Sequence, residues 1–409
     1  LDRSSAASDV YKRQHLYVGS AVASSEIPCK GAARALLMRV YLQRAGYSLS
    51  STTGKLTRPD DTTRKSYFEA VIREWETFKV EGYHNFYGGG YEQLFKNYSQ
   101  LILNNQESLW EIAFEPNQGQ TDNSGMWATY NGPIVDAPGS YSGTSSYMGR
   151  ANAFFTVLPY WKSFYESNAD GSQKDVRRDV NFVDYAYVWN ATTETQDKSY
   201  TASSIAKSLY RYPGKWRREW MALGFVDPNH TGVNYCPLRY ADVVLMAAEA
   251  YNETNNTTEA WKLLNDVRQR AEATPITSAN YASLMKAPKV YNLDFIDDSD
   301  DAGKFRTALY WERGFELCYE GQRKYDFLRW GCLGDALRAA QAYIESWYPD
   351  ANEYINASTL QSWDPVSWAS SNYVAGHNFV DGKHELYPIP LAEIQSNAAL
   401  NGQNNPGFE

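Results

Sequence analysis

The chain has 409 residues, 43% of them hydrophobic, which is enough to bury one large core or two smaller ones. Its formal net charge of −9 argues against a nucleic-acid partner, because binding phosphate needs a basic surface. No apolar run approaches the roughly 18 residues that a membrane-spanning helix requires, so the composition reads as soluble and globular. The unusual quantity is the ring content, 13 Trp, 32 Tyr and 16 Phe. Tyr and Trp carry a polar tip that needs a partner when buried, so a surplus suits a surface that meets flat, hydroxylated ligands such as sugars; an aromatic-rich core with tyrosines at its rim accounts for it too.

Residues 1–14, LDRSSAASDVYKRQ, have neither the apolar stretch of a signal peptide nor a helical period. They resemble a translated sequencing adapter and are set aside as non-native, leaving 15–409 as one domain. KGAARALLMRVYLQRAG at 30–46 predicts an alanine-rich helix stopped by Gly46. RKSYFEAVIREWETFKVEG at 64–82 places Tyr67, Phe68, Val71, Ile72, Trp75 and Phe78 at helical spacing, with Gly82 as its end. The GGG at 88–90 reads as a turn. From about 100 to 230 the pattern is irregular, rich in Gly, Ser, Asn and rings, and a second such stretch runs from 349 to 385. Long segments without a repeating pattern are functional or disordered, and these are too aromatic for disorder. Within the first, GKWRREW at 214–220 reads either as a ring-and-arginine binding patch or as a strand leading into the next helices.

LRYADVVLMAAEAYN at 238–252 is apolar on nearly every side. At about 100° per residue Arg239, Asp242 and Glu249 share one narrow stripe, so the helix is enclosed on most of its circumference, and its alanines admit close neighbours. Arg239 and Asp242 read as an i, i+3 ion pair at its entrance. EAWKLLNDVRQRAE at 259–272 carries a single apolar stripe and lies outside it, completing an αα-hairpin. A third group covers 304–321, a short helix at 323–330 and GDALRAAQAYIESWY at 334–348. Three inner/outer pairs without a fixed period indicate a mostly α, degenerate helical-repeat scaffold, with helices mainly in 30–82, 238–348 and 385–400.

Three blocks resemble the SusD/RagB family of nutrient-uptake lipoproteins. LRYADVVLMAAEAYNE followed by AWKLLNDVRQRA is similar to that family's central signature. ERGFELCYEGQRKYDFLRWG at 312–331 is similar to its second block, with Gly314 where a second Arg is expected. ELYPIPLAEIQSNAALNGQNNPGF at 385–408 is similar to its ending. Weaker echoes occur at 30–46 and in DVRRDVNF at 175–182. The resemblance implies tetratricopeptide-like helix pairs under a large loop-rich, aromatic-rich face. It implies a lipid anchor on the outer surface of an outer membrane, glycan capture, and delivery to a TonB-dependent SusC-like transporter, without catalysis or a cofactor. The signal peptide and lipidated Cys that the family carries are expected upstream of this fragment, since Cys29 follows SSEIP, which is no lipobox.

Glu312, Glu316 and Glu320, spaced i, i+4, i+8, read as a buried charge network with Arg313, Arg323 and Arg329 rather than as an acid/base pair. DFIDDSDDAGK at 294–304 lacks the Gly and Glu of an EF-hand; it reads as a solvated loop whose Asp300 or Asp301 caps the next helix, with structural Ca²⁺ as the alternative. Cys29, Cys236, Cys318 and Cys332 show no zinc spacing and read as small buried hydrophobes. The glycan-binding candidates are loop rings, Trp127, Tyr141, Trp189 and Trp363, followed by Tyr130, Tyr147 and Trp368, with Asn131 and Asn190 beside two of them. Two other functions stay open at this point, an α-helical glycoside hydrolase or lyase, and a helical-repeat adaptor for protein partners.

Overall fold

A computed structural model describes residues 15–115, 124–137, 146–155, 157, 160–200, 211–224, 229–284, 299–347 and 378–408, with the side chains of 160 and 343–347 excepted. Tyr141, Trp363 and Trp368 lie outside the described residues.

Among the described residues the principal helices are α1 (Lys30–Ala45), α2 (Asp61–Glu81), α3 (Tyr91–Ser99), α4 (Tyr240–Glu253), α5 (Thr257–Arg270), α6 (Asp301–Leu317), α7 (Arg323–Arg329) and α8 (Leu333–Trp347). α4 is the enclosed helix its sequence implies. Every residue from Ala241 to Asn252 is buried, and Ala241, Ala247, Ala248 and Ala250 are wholly inaccessible. Helices α1, α2, α5 and α6 all pack on it. The small side chains permit that crowding, because an alanine face lets helix axes approach where leucines would hold them apart. α1 pairs with α2 and α4 with α5, as expected. α6 lies on both α4 and α5, so the third group adds to the second pair instead of standing beside it as a separate hairpin.

The helix ends follow local chemistry. Asp60 accepts from the Thr63 amide (2.9 Å), Asn256 from Glu259 (3.3 Å) and Asp300 from Gly303 (2.7 Å), each a side-chain N-cap. The Asp300 cap was expected; Asp301 instead accepts from Trp261 Nε1 at 3.0 Å. Gly82 ends α2 in the left-handed region at φ 67°. Gly46 ends α1 for a different reason. Its φ is an ordinary −89°, but a Cβ there would meet the Arg329 carbonyl at 2.4 Å, so the residue is small because α7 presses on it.

The strands are short. β1 (Ser108–Ile112) pairs antiparallel with β4 (Tyr235–Arg239), with irregular register, and β4 runs directly into α4. β2 (Tyr185–Asn190) and β3 (Thr195–Tyr200) form a regular hairpin from Tyr185↔Tyr200 to Asn190↔Thr195. GKWRREW is neither an exposed patch nor a strand. Lys215, Trp216, Arg217 and Arg218 are buried, and 218–220 is a 3₁₀ turn; the strand entering the second pair is β4. Among the described residues no helix is long and apolar enough to cross a membrane.

A buried ionic lattice joins loops to helices. Arg177 bonds Asp175 (2.7 Å), Glu312 (2.6 Å) and Glu316 (3.1 Å). Arg239 reaches Glu316 (2.6 Å), Glu320 (2.6 Å) and Glu107 (3.1 Å). Arg268 bonds Glu312 at 2.8 Å and also Glu166; Arg270 bonds Glu107 at 3.0 Å and also Glu316; Lys215 bonds Glu320 and, at 2.8 Å, the Glu316 carbonyl. The three glutamates thus form a charge network, but with partners other than those expected. Arg313 goes to Asp242 and Asp326, Arg329 to Glu249 and Asp326, and Arg323 lies over the rings of Tyr310 and Phe327. The reason is geometric. α6 ends at Leu317, and Tyr319 turns into the left-handed region (φ 66°), so Glu320 leaves the helical face. The expected Arg239–Asp242 pair is likewise absent. Arg239 is the extended residue before α4, so its side chain does not follow the helical spacing, and Asp242 bonds Arg39 (2.6 Å) and Arg313 (2.9 Å).

Burial alone would raise the Glu316 and Asp242 pKa values, but the guanidinium groups win. Arg270, Arg239 and Arg177 hold Glu316 well below the usual range, and Arg39 and Arg313 hold Asp242 at about 2. A carboxyl depressed in the folded state contributes stability that is complete above its unfolded pKa near ~4 and is lost as pH falls through the folded value. Thermal unfolding monitored by circular dichroism is therefore expected to show a midpoint that declines from about pH 5 to pH 2. Asp242→Asn should be less stable at pH 7 and should flatten the acid limb, since about 2 kcal/mol of that pH-dependent stability belongs to this carboxyl.

Candidate functional site

The irregular region is stitched by backbone pairing into a platform. Val135 exchanges both backbone bonds with Ala151 at 3.0 Å, while Asp136 N–H donates to Tyr187 O and Tyr187 N–H to Ile134 O, each at 2.9 Å. Gln196 of β3 bonds the Met148 amide (2.8 Å) and the Gly149 carbonyl (3.0 Å), and Gly224 N–H donates to Tyr147 O (2.8 Å). Segments 134–136, 147–151 and the β2–β3 hairpin are therefore one layer.

The pleat decides where the hairpin's rings go. Tyr185, Tyr187 and Trp189 share one face of β2. The Tyr185 and Tyr187 hydroxyls both donate to Glu219, which also bonds Lys198 at 3.2 Å. Burial would raise the Glu219 pKa, yet the two hydroxyls and Lys198 hold it below the ordinary carboxylate value. Burial and the neighbouring carboxylate push both tyrosines up. The Lys198 ammonium sits 3.9 Å over the Tyr185 ring. These groups fasten the base of the hairpin. Trp189, nearer the tip, stands edge-on to Tyr147 with centroids 5.0 Å apart at 83°, both half-buried. Asn190 accepts from the Thr192 (3.0 Å) and Thr193 (3.3 Å) amides and donates to Asp197 (2.8 Å), bracketing the turn.

A second ring pair lies along the same layer. Tyr130 meets Phe154 at 4.2 Å and 75°, and Phe154 and Phe155 are 64% and 56% exposed. Beside them Asn152 donates to the Asn229 side-chain carbonyl at 2.8 Å. From Tyr147 to Phe154 is seven residues, so the two pairs are at most about 25 Å apart, within reach of one oligosaccharide.

The remaining candidates face inward. Trp127 is half-buried, edge-on to Trp216 (5.5 Å) and Tyr235 (4.9 Å) in a second core with Tyr91, Leu94 and Phe95. Asn131 is buried and donates to the Trp127 carbonyl (3.2 Å), securing the short helix Trp127–Tyr130. Of the six described candidates, the structure thus joins Tyr147 and Trp189 in one cluster and places Tyr130 in another, while Asn190 falls on the other face of β2 and brackets the turn. Phe154 and Phe155 are missing from the sequence list. Adjacent phenylalanines read as core, and the signal that could have found them is their place in the irregular segment 100–230, outside any helical or alternating period. The three spaced glutamates face no solvent: Glu312 and Glu316 are 0% exposed and Glu320 5%, so no substrate reaches them. Among the described residues no cluster of three or more His, Cys, Asp or Glu is placed to hold a metal ion.

A sequence profile of the SusD family matches residues 106–408. A SusD-like protein of Formosa agariphila is 26% identical over 393 residues, covering 94% of this chain and 61% of its own length. Another from the same organism is 31% identical over 172 residues, covering 42% of this chain and 24% of its own. The chain thus spans less than two thirds of these relatives. Among solved structures, a SusD homolog from Bacteroides thetaiotaomicron superposes with a TM-score of 0.70 at 24% identity, covering 98% of this chain and 68% of that one. Surface glycan-binding protein A from Bacteroides fluxus superposes with a TM-score of 0.57 at 16% identity, covering 96% and 66%. At such identities the superpositions speak for the fold.

The two tryptophans should separate on substitution. Trp127→Ala removes a ring from a packed cluster and is expected to cost about 3 kcal/mol in urea unfolding, while Trp189→Ala, at the hairpin tip, should cost under ~1 kcal/mol. Equal losses would show that Trp189 is a packing residue.

Proposed function

Since the chain belongs to the SusD family, we propose that it is a cell-surface saccharide-capturing component of an outer-membrane uptake system, using the ring-bearing layer described above. The pairs Tyr147/Trp189 and Tyr130/Phe154 offer apolar ring surface to the C–H faces of sugars, and the amides of Asn152 and Asn229, joined beside the second pair, serve hydroxyls. Tyr141, Trp363 and Trp368, outside the described residues, belong to the same proposal on their sequence alone. Captured ligand passes to a SusC-like TonB-dependent transporter; the chain reaches the membrane through a lipid anchor and breaks no bond. The observation that carries the reading is Phe154, a large ring 64% exposed and edge-on to Tyr130 on a layer fixed by backbone pairing. Exposed rings cost solubility, and a rigid pair of them is the arrangement that stacking recognition requires.

Each ring-to-sugar contact contributes on the order of 1 kcal/mol, so binding is weak and additive over several rings. In a neutral-oligosaccharide panel measured by affinity electrophoresis or calorimetry, Trp189→Ala and Phe154→Ala should each weaken binding about fivefold, and the double variant about 25-fold. Reducing-end assays on the same mixtures should stay at background. Binding unchanged in the double variant would remove the proposed site, and release of reducing ends would replace capture by hydrolysis.

A further inference from the structure

On the scaffold, away from the ring layer, an open groove of about 730 Å³ runs between α1 and the segment 46–59, with Tyr67 of α2 at its edge. Its polar lining is one-signed. Arg39, Arg44 and Arg58 contribute, and no Asp or Glu does. Arg39 is already bonded to Asp242 at 2.6 Å. Arg44 and Arg58 are exposed and have no carboxylate partner among the described residues, in a chain whose net charge is −9. Both are nonetheless held in place. The Arg44 guanidinium lies 4.9 Å from the Tyr67 ring centroid, and that of Arg58 lies 5.2 Å from Tyr47.

The fold builds both supports. Tyr67 is itself stacked on Tyr41 (6.3 Å, 24°) across the α1–α2 pair. Tyr47 and Arg58 flank a two-residue ladder, Ser48↔Thr57 and Leu49↔Leu56, which brings them side by side although ten residues separate them. A guanidinium lying on a ring keeps its N–H edge free, pre-oriented as a fork for a carboxylate or a sulfate. Between the arginines the wall is apolar, with Leu36 47% and Val40 44% exposed. A small pocket of about 50 Å³ lies beside it, sharing Gly46, Tyr47 and Arg58, and is lined further in by Arg64, Glu249 and Glu253. That arginine is already paired, with Asp61 at 3.6 Å and Glu253 at 3.7 Å, so among the described residues the free cations of the groove are Arg44 and Arg58.

We infer that this groove is a second binding site, for a saccharide bearing carboxylate or sulfate groups, with Arg44 and Arg58 holding the anions and Leu36 and Val40 meeting the C–H face of the sugar. That the ligand is a saccharide rests on the function proposed above; that it is anionic rests on the groove alone. The site is distinct from the ring layer, because no residue of the groove belongs to 127–200.

The test is calorimetric titration of the full chain with oligogalacturonate, with a sulfated oligosaccharide, with a neutral dextrin of equal length and with inorganic sulfate, alongside sedimentation with phosphatidylglycerol vesicles. The acidic oligosaccharides are expected to bind more tightly than the dextrin, and less tightly as salt rises. Arg44→Ala/Arg58→Ala should weaken them at least tenfold, and Arg44→Lys less, since it keeps the charge and loses the planar fork. Trp189→Ala should leave them unchanged. Both arginines are exposed, so the double variant should keep the wild-type unfolding midpoint. Acidic oligosaccharides that bind the double variant as they bind the wild type overturn the inference. So does retention on anionic vesicles without binding of the free acidic sugars. Failure of the ring-layer reading shows separately, as neutral glycan binding indifferent to Trp189→Ala and Phe154→Ala.

Discussion

Among the described residues, the placement of the ring-bearing layer on the helices depends on one buried arrangement of charge. Five cations (Arg177, Lys215, Arg239, Arg268, Arg270) interleave with six carboxylates (Glu107, Glu166, Asp175, Glu312, Glu316, Glu320). The carboxylates of α6 meet cations from loops, from the end of β4 and from the end of α5. Such a lattice adds little net stability over a well-packed apolar core, but removing one member strands the others without water, at about 3–5 kcal/mol. What it supplies here is position. Hydrophobic contact would let an irregular segment slide over the helices, whereas a guanidinium bonded to three carboxylates fixes it in place and in orientation.

The consequence runs outward from that junction. Arg177 begins the short helix 177–181; Arg217 bonds the Asp179 (2.7 Å) and Val180 (3.1 Å) carbonyls; and Phe182–Val183 pair with Tyr212–Pro213 before β2 begins. The hairpin therefore starts from a clamped base, and Glu219 clamps it again through two tyrosines. Trp189 and Tyr147 stand two bonded steps from the scaffold. Stacking on sugars yields little energy per ring, so rings that had to be ordered on binding would lose much of that yield to entropy. A fixed layer avoids that loss. The arginine groove beside α1 uses the same economy differently, by resting each exposed guanidinium on a ring.

The helical frame was legible because its signals are local. Period, alanine content and caps define α1, α2, α4 and α5 to within a few residues, and the enclosure of α4 follows from its lack of a polar face. The pairing of charges was not legible. Glu312, Glu316 and Glu320 are evenly spaced, but Tyr319 breaks the helix between the second and third, and no propensity announces a tyrosine at positive φ. Arg239 sits one residue outside α4, which redirects its side chain entirely. Gly46 looked like a helix terminator and is a contact point for Arg329, a fact about a residue 283 positions away. Among the rings, sequence separated loop from helix but not outward from inward. Trp127 and Trp189 have similar surroundings in the chain, and only the Trp216–Tyr235 cluster draws the first one in. Phe154 and Phe155 escaped because apolar pairs signal burial, and here backbone pairing around Val135 and Ala151 leaves them outside.

The claim that charge positions the ring layer is most directly measured by amide hydrogen exchange in wild type and in Arg177→Met. The account predicts that protection falls in 147–151 and 185–200, the segments carried by the clamp, while α4 and α5 exchange as slowly as before. Unchanged protection in those loop segments, or a uniform loss spread equally over α4 and α5, would contradict it.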